Sequence, residues 1–92
     1  MLFEWDDRKA AQNIAKHGVS FEYAARVFLD ARRLDSEDTR RDYSEERRLT
    51  IGTIDGRLYI VAYTWRGEVN RLISARKANE RERRQYDDKL ST

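Results

Sequence analysis

Residues 47–77, RRLTIGTIDGRLYIVAYTWRGEVNRLISARK, predict three β-strands joined by two tight turns. Asp55-Gly56 separates two runs of alternating apolar residues. This is the strongest short hairpin signal, because a type I′ turn needs positive φ at both central residues. Gly67, with either Arg66 or Glu68, predicts the second turn. The stretch therefore favours an antiparallel sheet.

The register of the first hairpin divides the side chains between two faces. A two-residue loop at Asp55-Gly56 pairs Ile54 with Arg57 and Ile51 with Ile60, and side chains alternate along each strand. The first predicted face carries Leu49, Ile51, Leu58, Ile60, Ala62, Ile73 and Ala75. The second carries Glu46, Arg48, Thr50, Tyr59, Val61, Tyr63, Trp65, Asn70, Leu72, Ser74 and Arg76. We expect helices to cover the first face and leave the second open.

The second predicted face combines arginines, hydroxyls and aromatic rings. Such a surface can bind a nucleic-acid strand, with rings stacking on bases and guanidinium groups holding phosphates. The alternative is a solvated face stabilised by cross-strand cation–π and ion pairs, with Arg48 opposite Tyr63 and Glu46 opposite Trp65. Both interpretations stay open at this point. Arg71 and Lys77 are expected on the helix side, provided that the third strand contains no bulge.

Helix and strand signals flank this stretch on both sides. Asp6 and Ser20 are N-cap residues for two helices, and Gly18 ends the first. Asn79 and Glu82 have the capping-box spacing of a final helix. The predicted elements are a strand at 2–5, helices at 7–17 and 21–29, a short edge strand at 32–35 and a helix at 79–89. Together they predict one α+β domain spanning residues 1–92, with an antiparallel sheet of about four strands, two N-terminal helices on one face and a C-terminal helix.

The composition narrows the possible functions. The 92 residues contain no cysteine, and their formal net charge is +2, so a nucleic acid would have to be bound by a local basic patch. No long apolar run or signal-peptide pattern occurs, so we expect a cytoplasmic protein without membrane contact. The acidic residues of the 30–46 segment lack metal-site spacing, and no cofactor motif is present, so neither a metal nor a cofactor is expected.

His17, the only histidine, is either a candidate proton acceptor or a helix C-terminal side chain that complements the free carbonyls.

Three segments resemble the BrnT toxins of type II toxin–antitoxin systems. They are FEWDDRKAAQNIAKHGVSFEYAARVF, DYSEERRLTIG and RLISARKANERERRQY, which occur in this order between Phe3 and Tyr86. The resemblance implies a RelE-like α+β fold and a ribonuclease that arrests translation and growth. It also implies neutralisation by a BrnA-like ribbon-helix-helix antitoxin, through which the complex contacts operator DNA.

Two functional hypotheses follow. In the first, the protein is a metal-independent endoribonuclease. Arg48 and Arg76 stabilise charge on the phosphate, Glu46 or His17 accepts a proton, and Tyr59, Tyr63 and Trp65 bind RNA bases. In the second, it is a non-enzymatic protein-binding module that partners a DNA-binding regulator.

Overall fold

The computed structural model describes residues 1–42 and 44–90. The strands are β1 (Leu2–Glu4), β2 (Leu34–Glu37), β3 (Arg48–Ile54), β4 (Arg57–Arg66) and β5 (Val69–Lys77). The helices are α1 (Asp7–His17), α2 (Phe21–Ala24), which continues as a 3₁₀ helix over Ala25–Leu29, and α3 (Glu80–Leu90). The five strands form one sheet in the order β1-β5-β4-β3-β2.

The two predicted turns are confirmed. Asp55 and Gly56 have φ values of 51° and 81°, as a type I′ turn requires, and the predicted pairs Ile54–Arg57 and Ile51–Ile60 are present. Arg66 pairs with Val69, so Gly67 and Glu68 form the second two-residue loop, with Gly67 at φ 63°. The central hairpins were therefore predictable from turn residues alone.

A bulge in β5 changes which residues share a face. Ile73 is an extra residue between the pairs Ala62–Ser74 and Tyr63–Leu72. Directly opposed residues share a face, and one inserted residue reverses the alternation beyond it. Arg76 consequently pairs with Ile60, whereas the sequence prediction placed it beside Tyr59.

The face predicted to be open is the one that the N-terminal helices cover. We call it the helix face: it carries Tyr59, Val61, Tyr63, Leu72 and Ala75, which form the main core with buried side chains of α2, its 3₁₀ extension and the α1–α2 connection. The prediction was wrong because β4 is apolar at nearly every position from Leu58 to Tyr63, so alternation did not distinguish the faces. A strand buried on both sides has this composition.

The opposite face, called here the far face, is covered in part by α3. The buried residues Ile51, Leu58 and Ile60 pack there against Tyr86, with Leu34, Leu49 and Ala78 at the margin. The Tyr86 hydroxyl donates to Asp30 Oδ2 at 2.7 Å, and the same oxygen accepts from the Thr53 backbone at 2.9 Å. Asp30 therefore links α3 to β3. Burial and the bond to Asp30 both raise the pKa of Tyr86.

Asn13 connects α1 to the sheet. β1 covers only Val69–Arg71 on the outer edge of β5. Farther along that edge, Asn13 Nδ2 donates to Ala75 O at 2.8 Å, and Ala75 N donates to Asn13 Oδ1 at 3.0 Å. The side chain thus replaces the missing neighbouring strand. Asn13 is the buried residue of α1, and no motif in the sequence marked it as buried.

The fold class is confirmed in its coarse form and corrected in detail. The chain is α+β, but the sheet has five strands and is mixed, because β1 runs parallel to β5. A parallel pair needs a long connection, and here α1, α2 with its 3₁₀ extension and three other strands lie between β1 and β5 in the chain. Over residues 1–42 and 44–90, no helix is long and apolar enough to cross a membrane.

Candidate functional site

Asp35 holds a network of side chains at one end of the helix face. Its Oδ1 accepts from Arg48 Nε, and its Oδ2 accepts from the Tyr63 hydroxyl and, at 2.7 Å, from Arg33 Nη1. Arg33 also donates to Thr50 Oγ1 at 2.9 Å. These contacts join β2, β3 and β4, so they fix the orientation of the Arg48 guanidinium.

Arg48 connects this partly buried network to two exposed side chains. Its Cζ lies 5.3 Å from the centre of the Trp65 ring, and its Nη1 lies 3.6 Å from Glu46 Oε1. The Arg48 side chain is 22% exposed, that of Glu46 is 46% exposed, and Trp65 as a residue is 50% exposed. A carboxylate, a cation and an aromatic ring are therefore accessible together. We call Glu46, Arg48 and Trp65 the Arg48 cluster.

The electrostatic surroundings favour one protonation state each for Arg48 and Tyr63. The bond to Asp35 raises the pKa of Arg48, so its guanidinium stays positive. Burial, followed by the bond to Asp35, raises the pKa of Tyr63, so its hydroxyl stays protonated. Arg48 is thus a permanent cation, while Tyr63 is a neutral hydrogen-bond donor already bound to a carboxylate.

The two tyrosines predicted to bind bases are both buried. Tyr63 is 2% exposed, between Phe28 and Trp65, whose ring centres lie 4.9 and 6.1 Å away. Tyr59 is 5% exposed and packs edge-on against Tyr23 at 5.6 Å. Their placement on an open face was wrong because α2 covers this part of the sheet. Among the three predicted base-binding rings, Trp65 is the accessible one.

Arg76 lies on the far face, away from the Arg48 cluster. Its Nη1 and Nη2 donate to Glu82 Oε1 and Oε2, each at 2.8 Å. The Glu82 carboxylate is partly desolvated, yet the hydrogen bonds from Arg76 and from the Asn79 backbone hold its pKa below the usual value. Glu82 is therefore a carboxylate at neutral pH that positions Arg76. The catalytic role of Arg76 stays a prediction.

His17 occupies a third location. It ends α1 and lines a surface cavity with Lys9, Lys16 and Ser74 at the outer edge of β5. The structure thus brings Glu46, Arg48, Tyr63 and Trp65 together and places His17, Tyr59 and Arg76 elsewhere.

Asp35 and Arg33 are the main residues that sequence reasoning missed. The sequence predicted an edge strand at 32–35, but it did not indicate which side chains Asp35 contacts. Leu34 faces the far side of the sheet, opposite Ile51, so its neighbours Arg33 and Asp35 must face Arg48 and Tyr63. The alternation of side chains around Leu34 was the sequence signal that could have placed Arg33 and Asp35 beside Arg48.

In the described part of the chain, no group of three or more histidine, cysteine or acidic residues could hold a metal ion.

Comparison with known proteins identifies the family. A family model described as "Ribonuclease toxin, BrnT, of type II toxin-antitoxin system" matches residues 5–82. No curated protein sequence matches significantly. Because the family match covers most of the chain, the protein belongs to the BrnT family of ribonuclease toxins, whose type II systems pair the toxin with an antitoxin.

Proposed function

We propose that this BrnT-family toxin is a metal-independent endoribonuclease that acts through the Arg48 cluster. The observation that supports this most strongly is the contact of Arg48 with both Glu46 and the half-exposed Trp65. Cleavage of RNA by its own 2′-hydroxyl needs a proton acceptor, a cation beside the phosphate and a surface that orients a base. These three side chains meet those needs.

Each residue has a specific task in the proposed reaction. Glu46 takes the proton from the 2′-hydroxyl, and the 2′ oxygen then attacks the adjacent phosphorus. Arg48 stabilises the negative charge that accumulates on the phosphate oxygens. The bond from phosphorus to the 5′ oxygen breaks, and that oxygen takes a proton from water. The products are a 2′,3′-cyclic phosphate and a 5′-hydroxyl.

Trp65 orients the substrate in this proposal. Stacking of a base on an aromatic side chain contributes about 1–3 kcal/mol and tolerates any base. The Arg48 guanidinium already lies against the Trp65 ring, so a base that stacks on the exposed part of the ring would place its phosphate near that cation. Asp35 and Tyr63 do not touch RNA in this scheme. They hold Arg48 in place.

The biological role that follows is growth arrest through loss of translated RNA in the cytoplasm. We propose a BrnA-like ribbon-helix-helix antitoxin as the partner that suppresses it. Through that partner the complex would contact operator DNA.

Induced expression tests this function. Wild-type protein should arrest growth and degrade RNA, and co-expression of the antitoxin should relieve the arrest. Arg48→Ala and Glu46→Gln should relieve it without an antitoxin. Arg57→Ala removes an arginine exposed at the start of β4 and is the control that should remain toxic. Harmless wild-type expression without RNA loss would favour the protein-binding module.

A further inference from the structure

The far face contains a small cavity beside α3. Its floor is formed by the strand residues Leu49, Ile60 and Ala62, and its rim by Arg40, Ser74, Arg76 and Glu82. The volume is about 140 Å³. An apolar floor beside two guanidinium groups suits a flat ring with polar atoms along its edge. The face of such a ring would contact the strand side chains, and its edge would accept hydrogen bonds from Arg40 and Arg76.

A second cavity adjoins the first at the outer edge of β5. It has a volume of about 240 Å³ and includes Lys9, Lys16 and His17 of α1 together with Ile73 and Ser74. The bulge at Ile73 and the cross-link from Asn13 to Ala75 set this edge. Ser74 is exposed and lines both cavities, so one ligand can extend from the far face to the lysines of α1.

The charged side chains around the two cavities carry an excess of positive charge. Lys9, Lys16, Arg40 and Arg76 supply four positive charges, and Glu82 with Asp38, the partner of Arg40, supplies two negative ones. Their formal net charge is +2. A polyanion would therefore be attracted to this surface, whereas the charges of Arg33, Asp35, Glu46 and Arg48 cancel.

We propose that the two cavities joined at Ser74 form a binding groove for a single-stranded RNA segment, separate from the Arg48 cluster. A base occupies the cavity over Leu49, Ile60 and Ala62, with Arg76 at its edge. The following phosphates lie against Lys9 and Lys16. The inference rests on the proposed function in naming RNA as the ligand, and it adds a second contact region on the far side of the sheet.

The shape of the groove favours an extended strand over a compact ligand. Each cavity alone is smaller than the roughly 300–1,000 Å³ of pockets that enclose a drug-sized molecule, so a ligand of that size would have to extend through both. A single strand needs only a place for one base and a basic path for its backbone. The Glu82 carboxylate holds both terminal nitrogens of Arg76, so the guanidinium is oriented before RNA arrives.

Binding of an uncleavable RNA tests the groove independently of catalysis. The probe is a fluorescent single-stranded oligonucleotide with 2′-O-methyl groups throughout, and the readout is anisotropy over a salt series. Lys9→Glu should weaken binding. It should also make the negative slope of the logarithm of the binding constant against the logarithm of the salt concentration shallower by about 0.7, the value for one lost single-strand phosphate contact. Arg8→Glu is the matched control: the neighbouring residue is also exposed and on the same helix, but it does not line either cavity.

A second variant blocks the groove without changing its charge. Ser74→Tyr places a bulky, strand-compatible side chain at an exposed position between the cavities and should reduce affinity at least several-fold. Equal losses in Lys9→Glu and Arg8→Glu, or an unchanged affinity in Ser74→Tyr, would overturn the proposal. If the wild-type protein binds this probe as expected but leaves unmodified RNA intact, the cleavage proposal is wrong and the proposal of a binding groove is still supported.

Discussion

Arg76 of β5 and Glu82 of α3 form a two-pronged ion pair, with two N–H···O contacts of 2.8 Å each. Glu82 Oε1 also accepts from the Asn79 backbone at 2.8 Å, and Asn79 Oδ1 accepts from Glu82 N at 2.9 Å. The carboxylate that completes the capping box of α3 thus also fixes Arg76 on the sheet. The start of the helix and the orientation of the arginine are coupled.

This coupling predicts a pH dependence of stability. The folded pKa of Glu82 is lowered from 4.5, so its ionised form stabilises the fold above about pH 4.5, and that contribution is lost as the pH falls through the folded pKa. Glu82→Gln should therefore be less stable than wild type at pH 7, with a difference that shrinks below pH 4.5. Urea unfolding at several pH values measures this. Glu80→Gln, exposed in the same turn, is the control, and a pH-independent deficit in Glu82→Gln would contradict the account.

Asn13→Ala should destabilise the protein by about 3 kcal/mol. The substitution leaves the buried Ala75 N–H and the Ala75 and Val19 carbonyls without the partners that Asn13 supplies. Chemical unfolding gives the free energy directly. Gln12→Ala, at the exposed neighbouring position, should stay within about 0.5 kcal/mol of wild type. Similar small changes in both variants would show that the edge of β5 does not depend on Asn13.

Gly52→Ala should cost about 1–3 kcal/mol of stability, because β3 lies close beneath the 3₁₀ helix at this point. A Cβ on Gly52 would lie 2.9 Å from Val27 Cγ1, 3.2 Å from Arg33 Cβ and 3.3 Å from Asp30 Oδ2. Val27 is fully buried and cannot move away without disturbing the core. A thermal melting temperature equal to that of wild type would contradict this packing.

Much of the fold was predictable because local signals determined it. The Asp55-Gly56 turn fixed the β3–β4 register, and the caps at Asp6, Ser20 and Asn79 each accept the predicted backbone hydrogen bonds. The parallel pairing of β1 with β5 was not predictable, because a three-residue strand carries no signal for its partner.

The candidate site was predictable only in part. Arg48 and Tyr63 were correctly paired, because their register depends on one turn. The face that the helices cover was assigned wrongly, since both sides of β4 are apolar and the choice depends on which surface α2 buries. The position of Arg76 depended on one extra residue, Ile73, whose bulge no turn residue marks.

Arg48→Lys should reduce RNA cleavage by about 100-fold or more while preserving the fold. A lysine keeps the charge but lacks the planar fork that contacts Asp35, Glu46 and the Trp65 ring together. The rate of single-turnover cleavage, compared with Arg57→Lys, checks this expectation. Equal rates in the two variants would remove Arg48 from the reaction.

The most direct test of the Arg48 cluster is cleavage of a defined RNA by the purified protein in EDTA. A first oligonucleotide identifies the cleaved position, and a second carries a single 2′-deoxy nucleotide on the 5′ side of that bond. We expect the first to be cut to a 2′,3′-cyclic phosphate and a 5′-hydroxyl and the second to resist cleavage. The Glu46→Gln variant should cut the first at a rate at least about 100-fold lower than wild type. Cleavage of the deoxy substrate, loss of all cleavage in EDTA, or full activity in Glu46→Gln would contradict it.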